Sequence, residues 1–299
     1  VQLDRTRIVV RERGVFDILD LALQVCRLHL KPLAIMLLIG GLPWAVLNYL
    51  LIAWMLPGDF DWSSPDATAT YVRFAWTTTI LVTVEAPLAT AFVTAYLGHA
   101  LFLERPTYRQ IVREVLSMMG RLSWCHLVLR GILPTLLLVV SIDRNTGYSG
   151  PEAWLMLLLI AVLLRRATAP YINELVLLER NPIRSSNPQT ITVGRRSAML
   201  HGPASGSLLV TATTVGLYSI ALTLGISLAL YMVQVVLFDD GHLHRAMAFF
   251  GWPCAMWVTA GFAAVVRFLN YLDLRIRYEG WEVELRMRAE GGRLLEGWR

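Results

Sequence analysis

The chain has 299 residues, 56% of them apolar and only 16% charged, with a formal net charge of +5. Soluble globular chains carry roughly a quarter of their residues as charged side chains, so this composition excludes an ordinary soluble domain and points to a polytopic membrane protein. The arginines fall between apolar runs, as the positive-inside rule requires, and this excludes reading the basic balance as a nucleic-acid partner.

Residues 1–13 are polar and basic, and residues 14–30 then read as an amphipathic helix. Its polar residues Asp17, Asp20, Gln24 and Arg27 recur every three or four positions and fall on one narrow stripe. Such a helix lies in the membrane interface, so residues 1–31 form an N-terminal segment ahead of the membrane domain. The first span is expected over 32–56, longer than the roughly 20 residues a crossing needs. It is too long, and lacks a small-residue site after it, for a cleavable signal. The loop at 57–67 is acidic and is flanked by Trp54, Trp62, Tyr71 and Trp76, as an interfacial aromatic belt would be.

The second span, 68–103, exceeds a straight crossing and must tilt, kink at Pro87 or project beyond the bilayer. A joint follows at Leu103-Glu-Arg-Pro106. Thr107 and Gln110 then have capping-box spacing, and Tyr108, Ile111, Val112, Val115, Leu116 and Met119 follow the amphipathic template, with Arg109 and Arg113 opposite. The chain is expected to turn at Gly120-Arg121 into a third span, 122–142. The fourth, 152–178, contains Arg165, Arg166 and Pro170. A second joint, Leu178-Glu-Arg-Asn-Pro182, leads through a polar stretch to Gly194-Arg195. The fifth span, 206–238, has small residues at Ala221, Gly225 and Ala229, a spacing that lets helices approach closely. The sixth is 245–272, and residues 273–299 form a tail. Spans 32–272 thus make one six-helix membrane domain, and the two joints suggest three related hairpins.

Charge sets the orientation. The four segments on one side carry six, four, four and six basic residues, and the other side has only Arg73, Arg144 and Arg245. Both termini are therefore expected in the cytoplasm. Glu85, Arg130 and Arg165 each fall roughly 10–13 Å inside the membrane core, at about 1.5 Å per helical residue. Charges at that depth face the bundle interior and pair. Glu85 is the natural partner of Arg130 or of Arg165-Arg166, and Glu174, beside Asn173, is a second acceptor. Three arginines against two glutamates leave one positive charge over. The cluster reads as a structural ion-pair network, an anion or lipid site, or a proton-coupling site.

No nucleophile–base set, paired catalytic carboxylates or nucleotide-binding fingerprint is present, so the chain reads as non-catalytic and without a cofactor. The loop Asp239-Asp-Gly-His-Leu-His244 has metal-ligand residue types but reads as a solvated turn. Cys26, Cys125 and Cys254 lack CxxC spacing and read as small buried hydrophobes.

Three stretches carry a family resemblance: Glu85-Ala-Pro-Leu-Ala-Thr-Ala with Arg105-Pro-Thr; Leu177-Leu-Glu-Arg-Asn-Pro with Gly194-Arg-Arg-Ser; and Tyr271-Leu-Asp-Leu-Arg-Ile-Arg-Tyr-Glu-Gly-Trp. In these the chain resembles bacterial membrane proteins grouped with the membrane domain of glycerophosphodiester phosphodiesterases. The resemblance implies a six-helix bundle in the bacterial inner membrane and no assigned chemistry, since the catalytic barrel of the fused members is missing from this sequence. The expectation is an all-α integral membrane scaffold or accessory subunit that meets lipids and other membrane subunits. Its docking residues would be Arg109, Arg113, Arg195, Arg196, Arg275 and Arg277. The alternative is a transporter or lipid-handling protein that uses Glu85, Arg130, Arg165, Arg166 and Glu174.

Overall fold

A computed structural model describes residues 14–56, 67–101, 106–143, 150–187, 189–238 and 247–279. The acidic outer loops, Arg105 in the first joint, the Asp239–His244 loop and the tail beyond 279 lie outside the described residues. All regular structure within them is helical.

Helix α1 (Val15–Leu28) starts where Asp17 Oδ2 accepts from the Gly14 backbone N–H at 3.3 Å. It buries Ile18, Leu19 and Ala22, and leaves the stripe Asp17, Asp20, Gln24 and Arg27 exposed, as the periodicity requires. Helix α2 (Leu30–Ile52) follows almost without a break. It meets the next helix backbone to backbone: a Cβ on Gly40 would sit 1.9 Å from the Ala89 carbonyl oxygen. That next helix is α3 (Ala67–Ala89), continued after Thr90 by α4 (Ala91–Leu101). The long second span is thus interrupted three residues beyond Pro87.

Helix α5 (Tyr108–Ser117) has the expected cap, with Thr107 N donating to Gln110 Oε1 at 2.8 Å and Gln110 N donating to Thr107 Oγ1 at 3.4 Å. Ile111 and Val115 are fully buried, but Tyr108 and Leu116 of the apolar template are exposed. Contrary to expectation, the chain does not turn at Gly120-Arg121. It runs on through α6 (Met119–Ser123) and a π-helical turn (Trp124–Val128), then bends by 58° into α7 (Ile132–Val140). The hinge is Gly131 at φ 84, a left-handed conformation that glycine adopts without steric cost.

The fourth span also divides. Helix α8 (Gly150–Thr168) stops ahead of Pro170, and α9 (Ile172–Leu177) follows. The residue before a proline is disfavoured in helical conformation. Short α10 (Val193–His201) precedes α11 (Ser205–Phe238), and a π-helical turn (Met247–Gly251) precedes α12 (Trp252–Glu279). Helix α12 runs seven residues past the expected end of the sixth span.

Four of these helical runs are long and apolar enough to cross a membrane, and a fifth is counted if the bent α5–α7 pair is one span. Helix α8 has the length, at 19 residues, but carries Glu152, Arg165 and Arg166. Burial differs sharply among the candidates: 83% of the most apolar stretch of α3–α4 is buried, against 6% of that of α11. The α3–α4 rod is therefore the centre of the bundle and α11 a peripheral stave. Outward faces are bare hydrocarbon, including Leu38, Leu42 and Leu50 on α2, Leu157 and Ile160 on α8, and Leu217 and Ile220 on α11. Soluble surfaces rarely carry apolar patches of that extent.

The two ends of the bundle are tied differently. At one end Arg73, at the start of α3, pairs with Glu152 of α8, and its guanidinium lies 5.8 Å from the Trp54 ring. At the other, Glu114 takes His99 at 2.7 Å and Arg180 at 2.8 Å. Glu179 is held there by Arg196 at 2.6 and 2.9 Å and by the Tyr271 hydroxyl at 2.7 Å. His99 and Glu114, on either side of the first joint, and Glu179 and Arg180 of the second thus sit at one end, the residues flanking the acidic loops at the other. Burial alone would push Glu179 up, but the bonds from Arg196 and Tyr271 outweigh it and hold its carboxyl below the usual glutamate range. A carboxylate with a depressed folded-state pKa adds stability above its unfolded value, and that stability is lost as pH falls through the folded one. Glu179→Gln should therefore lower the melting temperature of detergent-purified protein at neutral pH. The difference should narrow as pH falls through the lowered folded-state pKa, where the wild-type carboxyl takes up its proton.

Candidate functional site: an arginine-lined cavity

Pro87 cannot donate the N–H that would close a helical bond to the Thr83 carbonyl. Arg166, reaching across from the last turn of α8, fills that gap. Its Nη1 donates to Thr83 O and its Nη2 to Val84 O at 2.7 Å. Three residues beyond Val84, Asn173 Nδ2 donates to the Pro87 carbonyl itself at 2.6 Å. A carbonyl can only accept, so Asn173 turns its Oδ1 the other way. There it accepts from His126 at 2.7 Å, which places the imidazole proton on Nε2.

The second proline break is treated alike. Helix α8 ends at Thr168, ahead of Pro170, and Arg130 Nη2 donates to the Ala169 carbonyl that the break leaves open. Arg267 of α12 completes the group, with Nε on Glu174 Oε1 at 2.9 Å and Nη2 on Thr94 Oγ1 at 3.0 Å. Glu174 is fully buried. The three guanidiniums come from three elements and converge because two proline-broken helices, α3–α4 and α8–α9, lie side by side.

Arg130, Arg166 and Arg267 all line one cavity of about 210 Å³. Its other walls are largely apolar and small-chained, among them Ala86, Ala212, Ala260 and Ala263, with Tyr171 and Asn270 at one side. Three guanidiniums face one buried carboxylate, so the cavity is net positive. Arg166 Nε is buried and meets no acceptor. An anion with several oxygens could meet that donor and the unoccupied N–H groups of its neighbours.

The predicted site residues are therefore divided. Arg130, Arg166 and Glu174 come together, and Arg267 of α12, within the expected sixth span, joins them. Arg165 lies on the outer side of α8 and is exposed. Glu85, expected opposite an arginine, accepts instead from Asn48 Nδ2 of α2 at 2.8 Å. The reason is helical phase: Arg166 reaches the carbonyls of residues 83 and 84, while the Glu85 side chain leaves α3 on the α2 side. Of the expected docking residues, Arg109, Arg113 and Arg195 are exposed. Arg196 and Arg275 turn onto Glu179, and Arg277 bonds Asp273 at 2.8 Å.

No family model, curated protein or solved structure matches the chain.

The geometry makes Arg166 a substitute for the N–H that Pro87 lacks. Arg166→Leu should destabilise the fold by about 1–3 kcal/mol for the carbonyls left unmet. In a Pro87→Ala background, where residue 87 can donate to Thr83 O, the same change should cost clearly less. Thermal or denaturant unfolding of the four proteins of this double-mutant cycle measures the difference, and equal costs would show that Arg166 does not serve the break.

Proposed function

We propose that the chain is a six-span protein of a bacterial inner membrane that binds an anionic, phosphate-bearing lipid through the Arg130–Arg166–Arg267 cavity. The six spans are α2, α3–α4, the bent α5–α7 pair, α8–α9, α11 and α12. Bare apolar faces on α2, α8 and α11 support insertion, and the excess of arginine at the joints supports cytoplasmic termini.

The observation that carries the ligand reading is the convergence of three guanidiniums on one apolar-walled cavity with a single buried carboxylate among them. Buried charges are costly without partners. Backbone carbonyls meet part of the arginines' hydrogen-bonding capacity but none of their charge. A phosphate supplies both, and alanine walls suit the hydrocarbon attached to it.

A second reading, docking of a partner membrane subunit, is supported by α11. Positions 216 and 225 on that helix have open space where a Cβ would be, and almost none of the stave is buried.

The ligand reading is tested on protein in a mild, uncharged detergent. Added phosphatidic acid or phosphatidylglycerol should raise the melting temperature, and phosphatidylcholine should not. Inorganic phosphate separates a free anion from a lipid headgroup: it should give little shift unless the cavity takes soluble phosphate. Ala263→Phe, which fills the cavity and leaves every arginine contact in place, should abolish the lipid shift. Equal shifts from anionic and neutral lipids, or an undiminished shift in Ala263→Phe, would overturn the proposal.

A further inference from the structure

A second cavity of about 350 Å³ lies between α1, the first turns of α11 and the last turns of α12. It shares Tyr171, Leu208, Thr211 and Asn270 with the arginine cavity, so the two adjoin along one wall. Its character is different. Asp273 and Arg277 face each other across 2.8 Å and cancel, and the remaining polar lining is hydroxyl and amide: Ser207, Thr211 and Asn270.

Asn270 is the pivot. Only 9% of it is exposed, it lines both cavities, and its side chain makes no hydrogen bond among the described residues. A buried primary amide with two donors and an acceptor unused calls for a polar partner. The Thr211 hydroxyl, across the cavity on α11, also makes no hydrogen bond among the described residues, so both groups are available at the same junction.

Polarity along α12 is ordered. Ala260 and Ala263 come first, Arg267 next, Asn270 one turn on, and the neutralised Asp273–Arg277 pair last. At about 1.5 Å per residue the step from Arg267 to Asp273 is about 9 Å. A phospholipid has the same order over a comparable length: hydrocarbon, phosphate, headgroup. The last turns of α12 also lie at the end of the bundle where the joints gather, the end that the charge asymmetry places in the cytoplasm.

From this we infer that the two cavities form one site, and that the phospholipid it prefers is a monoanionic phosphodiester whose headgroup is an uncharged polyol. The inference rests on the anionic-lipid reading above and adds the headgroup. The phosphate sits among Arg130, Arg166 and Arg267, and the headgroup hydroxyls meet Asn270, Thr211 and Ser207 Oγ, whose own proton is already given to Ala204 O at 2.9 Å. A cationic headgroup is disfavoured because the one carboxylate in the second cavity already faces Arg277 and the neighbouring cavity is positive.

The test compares phosphatidylglycerol with phosphatidic acid, which keeps the phosphate and lacks the headgroup, and with phosphatidylethanolamine. Native mass spectrometry of the detergent-solubilised protein measures occupancy at matched lipid concentration. Phosphatidylglycerol should bind about tenfold more tightly than either competitor. Thr211→Val combined with Asn270→Leu should bring it down to the phosphatidic acid level. Phosphatidic acid binding should not change in that variant, which also reports that the fold is intact, and Asn270→Gln should retain part of the preference. If wild-type protein binds phosphatidylglycerol and phosphatidic acid equally, or the double variant leaves their ratio unchanged, the headgroup inference is wrong while the arginine site stands. If neither lipid binds above phosphatidylcholine, the anionic-lipid reading fails and takes the inference with it.

Discussion

A proline in the middle of a buried helix leaves carbonyl oxygens with no donor, and in an apolar bundle no water is at hand to replace it. This chain has such breaks on two neighbouring rods, at Pro87 and at Pro170. At each, an arginine from the other part of the bundle supplies the missing donor: Arg166 to Thr83 and Val84, Arg130 to Ala169. The exchange satisfies both sides. A carbonyl that would be unmet gains a strong donor, and a guanidinium that would be unmet at that depth gains oriented dipoles. It also locks α8 against α3, because the break on one helix is closed by a side chain of the other.

The same exchange decides where charge accumulates. A carbonyl answers a guanidinium's N–H groups but not its positive charge. Arg267 alone has a carboxylate partner, Glu174. The positive charge of Arg130 and Arg166 therefore remains in the cavity that the three share. Glu85, another buried acid, sits on the far face of α3 with Asn48. Backbone repair and anion attraction are thus two consequences of one placement of arginine.

Much of the framework could be read from residues. Apolar run lengths placed α2, α11 and the α3–α4 rod within a few residues, and the Thr107 cap and the polar stripe of α1 follow from side-chain chemistry at fixed offsets. The hinge at Gly131 was not readable, because a left-handed glycine inside an apolar run has no marker that separates it from Gly40, which serves close helix packing. The arginine pairings were misjudged for a related reason. Opposite charges advertise themselves in a sequence, whereas a main-chain carbonyl looks the same at every position. Only the prolines hinted at it: each marks which carbonyl will lack a donor, at four residues upstream or at the helix end. Arg267 was missed because its partners, Glu174 and Thr94, lie on two other helices.

Preorganisation gives the cavity its chemical meaning. A flexible arginine must be ordered before it can hold an anion, and that ordering weakens binding. Here Arg130 and Arg166 are already fixed by carbonyls that owe nothing to a ligand. A phosphate bound as proposed would meet donors in place, among walls of alanine that water would solvate poorly. Each guanidinium keeps at least one N–H group clear of its backbone contact, and in Arg166 that group is Nε, with no acceptor in reach. Binding would add bonds without breaking the ones that hold the bundle together. A ligand site assembled, as proposed, from the repair of two broken helices would not have to trade stability for affinity, which would distinguish it from a cluster of charges held apart only by their surroundings.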